Sequence, residues 1–145
     1  MDRGFAVLIM ALVGGFIALQ APINAGLGKS TGSFAAATVS FAVGTVLLAA
    51  IVFASGKAGG LPNAAHVQWY YLLGGALGAA YVFSALVLVS EIGAGAVAAA
   101  TVTGQLTTSV VLDRIGFLGL DQEPISASRV LGVVMLLAGT YLVVR

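Results

Sequence analysis

Two amide side chains end the first apolar run of this chain. Gln20 and Asn24 follow residues 4–19, which are all apolar or glycine, and Pro22 lies between them. An amide in hydrocarbon is unfavourable unless it forms hydrogen bonds, so amides there indicate a polar ligand or polar neighbours. A helix over residues 4–19 is about 24 Å long, shorter than the roughly 30 Å core of a bilayer. Gln20 is therefore expected below the membrane interface, with Asn24 at a shallower depth.

The proline between the amides predicts a break in the first helix. Gln20 and Asn24 are four residues apart and share a helix face. Pro22 has no N–H and clashes with the carbonyl four residues back, which leaves the Ala18 carbonyl free. Free carbonyls at membrane depth are tolerated where they line a cavity or meet protein donors. We therefore predict a broken helix beside a polar cavity.

A second polar stripe lies in the fourth apolar segment. Thr101, Gln105 and Thr108 are spaced i, i+4 and i+7, and Ser40 and Tyr81 lie near the middle of two other segments. An alternative stays open, in which the amides bond each other as interhelical contacts and the threonines bond their own backbone. The candidate solute-binding residues are Gln20, Asn24, Ser40, Tyr81, Thr101 and Gln105.

The charged side chains are peripheral, and the sequence contains no recognisable catalytic apparatus. Glu91 lies at the turn between the third and fourth segments, and Asp113 lies at the end of the fourth. Both are candidates for a coupling group or a gate, although a solvated turn residue is the simpler interpretation of Glu91. We find no phosphate-binding loop, no catalytic triad and no carboxylate pair at reacting distance, so we do not expect an enzyme.

The composition indicates a membrane protein. Of the 145 residues, 60% are hydrophobic and only 8% are charged, against roughly 25% charged residues in soluble domains. The net charge of +1, without a basic cluster, argues against nucleic-acid binding. Cysteine is absent and His66 is the single histidine. We therefore expect no metal site and no cofactor.

Continuous apolar runs predict an all-α fold of five transmembrane helices in one domain, residues 1–145. Alternating strands are not compatible with these runs. The N-terminal run could also be a signal peptide, but the rest of the chain is equally hydrophobic, and we interpret it as the first span. The predicted spans are residues 4–28, 33–55, 69–90, 94–115 and 129–144.

Five spans place the two termini on opposite sides of the membrane. The positive charges divide weakly between the sides, which predicts an N-terminus inside but allows insertion in both orientations. Dual insertion would permit an antiparallel homodimer. The N-terminal side carries Arg3, Lys57, Arg114 and Arg129, and the other side carries Lys29 and Arg145.

Small residues recur at spacings that suit close packing of transmembrane helices. They could pack within the chain or form the seam between two copies. The fifth segment is the preferred seam, because Thr140 is its one polar side chain. The candidate packing or seam residues are Gly44, Gly74, Gly78, Gly132 and Gly139.

Four stretches resemble the short, YdcZ-like five-helix branch of the drug/metabolite transporter superfamily, which is related to EamA-type and small multidrug resistance transporters. They are "GGFIALQAPINAGLGK", "SFAVGT", "TVTGQLTTSVVLDRIGFLG" and "RVLGVVMLLAGTYLV". The resemblance covers almost the whole chain, and its most specific part runs from Gly104 to Gly119. The family pattern matches at Gln20, Asn24, Ser40, Gln105, Ser109 and Asp113.

The resemblance implies a transporter that works as a dimer of five-helix units or as a tandem ten-helix fusion. Two copies of an odd number of helices form an inverted repeat with a central cavity. The first helix here lacks the buried glutamate of the small multidrug exporters, which argues against proton–cation antiport.

We therefore expect an inner-membrane protein that pairs with a second, antiparallel copy in the lipid bilayer. It would move a small polar or amphiphilic solute by alternating access, with Gln105 and Thr101 facing Gln20 and Asn24 across the cavity. A non-transporting structural or assembly protein and a channel or lipid pathway are the alternatives.

Overall fold

The computed structural model describes residues 2–145 apart from the side chain of Arg3, so the Arg3 charge in the orientation count lies outside the described residues. All regular secondary structure over these residues is helical, which confirms that the fold is all-α. The four α-helices are α1 (Arg3–Thr31), α2 (Ser33–Ala54), α3 (Leu73–Ile115) and α4 (Ala127–Val144). Short 3₁₀ helices occupy Ala58–His66, Trp69–Leu72 and Phe117–Gly119.

Each of the four α-helices is long and apolar enough to cross a membrane. A straight helix of 43 residues, the length of α3, would be about 65 Å long, twice the thickness of a bilayer core. Gly93 interrupts it with φ 82° and ψ 160°, a conformation that is essentially restricted to glycine. We therefore describe α3 as a first arm, residues 73–92, and a second arm, residues 94–115, which makes five apolar helical stretches.

The predicted break at Pro22 is wrong. α1 continues through Pro22 to Thr31, beyond the predicted end at residue 28. Proline removes one backbone hydrogen bond, but a transmembrane helix tolerates this loss where neighbouring groups or local adjustment compensate. The other helix ends also differ by a few residues from the predicted spans, since α2 ends at Ala54 and α4 begins at Ala127.

The chain forms two compact units, residues 2–90 and residues 91–145. The first contains α1, α2 and residues 73–90 of the first arm of α3, which pack around the buried side chains of Ala36, Ala37 and Leu86. A Cβ added at Gly28 would lie 3.7 Å from both Ala36 Cβ and Leu86 Cδ1. Small side chains on α1 and α2 thus let the three helices approach closely.

The second unit contains the second arm of α3 and α4, which are bridged by two threonines. The hydroxyls of Thr103 and Thr140 are 2.6 Å apart, and Thr103 is buried. Thr140 Oγ1 also lies 3.1 Å from the Ala99 carbonyl, to which it can donate. The chain thus places Thr140, a hydrogen-bonding side chain of the predicted seam, against its own neighbouring helix.

Candidate solute-binding groove

A groove of about 470 Å³ lies between α1 and α2. It contains three of the polar side chains singled out in the sequence, Gln20, Asn24 and Ser40. No charged side chain is among its lining residues. The apolar part of the wall is formed by Phe16, Leu19, Ile23, Leu27, Val39 and Val43.

The tight turn at Gly32 explains why these residues meet. α1 and α2 are joined by this single residue, whose φ of 84° suits glycine and whose N–H donates to the Gly28 carbonyl at 2.8 Å. Helices joined by so short a turn lie side by side and antiparallel. Residues 24 and 40 are equally far in sequence from the turn at residue 32. Asn24 and Ser40 therefore lie at the same height along the two antiparallel helices.

The same register places Gln20 opposite Gly44. Both line a smaller cavity of about 200 Å³, which Ser40 also lines. Gln20 and Ser40 therefore border both cavities. Among the described residues, no atom lies within 4 Å of the position that a Cβ of Gly44 would take. Within this unit Gly44 thus borders a cavity and forms no close helix contact.

Asn24 is the most unusual polar group of the groove. Its side chain is 5% exposed, whereas Gln20 and Ser40 are half-buried. Within residues 2–145, the buried Asn24 Nδ2 has no hydrogen-bond partner. A buried donor without an acceptor loses its hydration and gains nothing in return. The sequence pattern indicated that Asn24 matters, but it could not predict this burial or the missing acceptor.

A third cavity, of about 550 Å³, lies between α2 and the first arm of α3 and is almost entirely apolar. Phe34 stacks on Phe83 there, with ring centroids 4.4 Å apart. The one hydroxyl in its wall belongs to Thr38, which donates to the Phe34 carbonyl at 2.9 Å. Tyr81 is half-buried on the first arm but does not line any of these three cavities.

The predicted polar stripe of the second unit has a mixed environment. Thr101 is half-buried, and Gln105 and Thr108 are exposed. The threonine that packs against α4 is Thr103, which the stripe does not include. Its signal in the sequence is the solitary Thr140 in an otherwise apolar segment, because an isolated hydroxyl in hydrocarbon needs a partner.

The two candidate coupling carboxylates, Glu91 and Asp113, lie near the ends of helices. Asp113 Oδ2 is 3.4 Å from Arg129 Nη1, and Glu123 Oε2 is 3.5 Å from Arg129 Nη2. The Glu123 N–H also donates to the Asp113 carbonyl at 3.0 Å. These contacts fasten the loop between α3 and α4. Glu91 is exposed, at the C-terminal end of the first arm.

The predicted packing glycines divide into two groups. Gly78 packs within the chain, because a Cβ there would lie 3.5 Å from the ring of Phe41. For the others, the described part of the chain leaves open space around the Cβ position. This second group consists of Gly44, Gly74, Gly132 and Gly139.

Comparison with protein families decides the relationship of this chain. Residues 5–142 match the family model DMT_YdcZ, described as "Putative inner membrane exporter, YdcZ". The chain belongs to the DMT_YdcZ family. This confirms the resemblance that the four sequence stretches indicate. No curated protein and no solved structure matched the chain.

Family membership and fold agree on the cellular location. DMT_YdcZ members are described as inner-membrane exporters, and all four α-helices of this chain have the length and hydropathy of membrane spans. The chain is therefore a multi-pass inner-membrane protein of a transporter family.

Proposed function

We propose that this DMT_YdcZ protein moves a small polar or amphiphilic solute across the inner membrane by alternating access. The observation that carries the proposal is the groove between α1 and α2. It gathers Gln20, Asn24 and Ser40 in a wall that is otherwise apolar. A pocket with an apolar wall and a few convergent polar groups is the usual form of a small-molecule site.

The proposed transporting unit is an antiparallel homodimer with its substrate cavity at the centre. Two inverted copies of five spans provide two equivalent access states, which a single five-helix chain does not. In this proposed arrangement Thr101 and Gln105 of the partner copy would face Gln20 and Asn24. The open space beside Gly132 and Gly139 supports α4 as the seam, since small residues allow close helix contact.

Substitution of Gln105 tests whether this side chain binds the solute or has only a structural role. We expect Gln105→Leu to fold and dimerise like the wild type, because this side chain is exposed, and to lose solute binding. A thermal-shift screen of the purified dimer against amino acids, guanidinium compounds and sugars, repeated across pH, identifies the solute to use. Unchanged binding or uptake by the variant in proteoliposomes removes Gln105 from the site.

The same screen distinguishes the two alternative functions. A structural or assembly protein predicts that no solute raises the melting temperature and that Gln20→Leu weakens the dimer. A channel or lipid pathway predicts flux that rises with concentration without saturating. Alternating access predicts saturable flux together with a solute-dependent rise in melting temperature.

A further inference from the structure

We infer that the groove between α1 and α2 selects an uncharged amphiphile whose polar end carries a hydrogen-bond acceptor, with Asn24 as the donor. This inference rests on the proposed function for the role of the groove and specifies the class of solute. Its starting point is the Asn24 Nδ2 atom, which is buried and has no acceptor within residues 2–145. A solute acceptor such as a carbonyl oxygen would supply the missing hydrogen bond.

The lining of the groove argues against charged solutes. An ion taken from water into a membrane-embedded site loses its hydration and needs a countercharge close by. The nine lining residues include amides, a hydroxyl and apolar side chains, but no acid or base. A bound cation or anion would therefore lose hydration without gaining a countercharge. An uncharged polar group does not need a countercharge.

The distribution of polarity in the groove matches an amphiphile. Gln20, Asn24 and Ser40 provide amide and hydroxyl groups in the wall of the groove. Phe16, with 69% of its surface exposed, and Ile23, with 67%, form an open apolar part of the wall. An apolar body would lie against these side chains while its polar end reaches the amides.

Asn24 needs only a local movement to reach a solute. The residue already lines the groove, although its Nδ2 atom is covered. Rotation about the side-chain bonds of asparagine can turn the amide toward the cavity, and this rotation breaks no hydrogen bond of Nδ2. We therefore expect binding to require a change of rotamer and no change of helix position.

The test uses three probes that share one apolar body. These are 2-naphthamide, 2-naphthoate and 2-naphthylmethylammonium, which are uncharged, anionic and cationic near neutral pH. Binding is measured by equilibrium dialysis against the wild-type protein in nanodiscs, with empty nanodiscs as the background. We expect saturable binding of 2-naphthamide, at least tenfold tighter than that of either charged probe. A charged probe that binds equally well, or no saturable binding of 2-naphthamide, would overturn the inference.

Variants then assign the donor. Asn24→Leu replaces a buried amide without a partner by an apolar side chain of similar size, so the solute-free protein should melt at a higher temperature. The same variant should bind 2-naphthamide at least tenfold more weakly. Thr38→Val is the matched control, because Thr38 lines the other cavity and bonds its own helix; its affinity should equal that of the wild type. A lower melting temperature for Asn24→Leu would mean that Asn24 has a structural partner, which contradicts the inference.

The outcome separates this inference from the proposed function. Selective binding of 2-naphthamide without any saturable flux would contradict transport and leave the solute class standing. Saturable flux of a cation or an anion, without binding of 2-naphthamide, would contradict the solute class and leave transport standing. The probe measurements on the wild type do not depend on whether Asn24→Leu folds.

Discussion

Among the described residues, Asn24 and Thr103 are the two buried polar ones, 5% and 6% exposed, and they differ in their hydrogen bonding. Thr103 contacts the hydroxyl of Thr140 at 2.6 Å, whereas Asn24 Nδ2 has no acceptor within the described residues. The sequence predicts that the amides of α1 matter, because amides in an apolar run are unfavourable alone. It does not predict which of them is buried, because burial depends on how α1, α2 and α3 pack.

The threonine pair carries a prediction about coupling between residues. Thr103→Val and Thr140→Val should each destabilise the protein by about 1 kcal/mol, since both remove the same hydroxyl contact. The double variant should lose less than the sum of the two, because the second substitution has no contact left to remove. Reversible unfolding in mixed detergent micelles measures the unfolding free energies of the two single variants and the double variant. Additive losses would show that the two hydroxyls do not interact.

The helices follow from the apolar runs, but their ends and interruptions do not. Pro22 has the sequence signature of a break, yet α1 passes through it. The predicted turn between the third and fourth segments corresponds to the interruption of α3 at Gly93, whose φ is 82°. The pattern of hydropathy fixes how many spans form, while turn conformation and local packing determine where each one ends.

Two neighbouring glycines test the role of the turn. Gly93→Ala should destabilise the protein by about 1–3 kcal/mol, because alanine is strained at this positive φ and extended ψ. Gly95→Ala is the control, because Gly95 is helical and a Cβ there would make an ordinary contact of 3.8 Å with Val143 Cγ1; it should be neutral or slightly stabilising. Thermal unfolding compares the stability of the Gly93→Ala and Gly95→Ala variants with that of the wild type. Equal effects would contradict the conformational requirement at Gly93.

The ion pair between Asp113 and Arg129 predicts that Asp113 makes only a modest contribution to stability. The side chains of Asp113 and Arg129 are about one-third exposed, and ion pairs of this kind contribute at most about 1 kcal/mol. Asp113→Asn should therefore lower the unfolding free energy by less than this amount and leave the pH profile of transport unchanged. Loss of transport in a folded Asp113→Asn variant would instead assign Asp113 a coupling role.

At the scale of the whole molecule, much apolar surface of the isolated chain is exposed. α4 contains no buried residue among its described positions, and the space beside Gly132 and Gly139 is open. Both features suit a bilayer or a second copy of the chain. The sequence predicts the membrane environment directly from composition, but the hydropathy of a helix is the same whether lipid or protein covers it.

Dual insertion can be tested on the whole molecule. If the weak charge bias leaves orientation undecided, each terminus should be accessible from both sides of the membrane, in comparable fractions of the copies. Single cysteines introduced at the termini of this cysteine-free chain can be labelled with a membrane-impermeant reagent in intact cells. One orientation for every copy would exclude the antiparallel homodimer.

The most direct test of the central claim is transport by a variant of the polar groove. Gln20 borders both cavities between α1 and α2, while Thr38 lies in the apolar cavity on the other side of α2. Uptake of a solute that raises the melting temperature is measured in proteoliposomes for wild type, Gln20→Leu and Thr38→Val. We predict saturable uptake by the wild type and by Thr38→Val, and its loss in a folded, dimeric Gln20→Leu. Wild-type uptake by Gln20→Leu would contradict the assignment of this groove as the solute site.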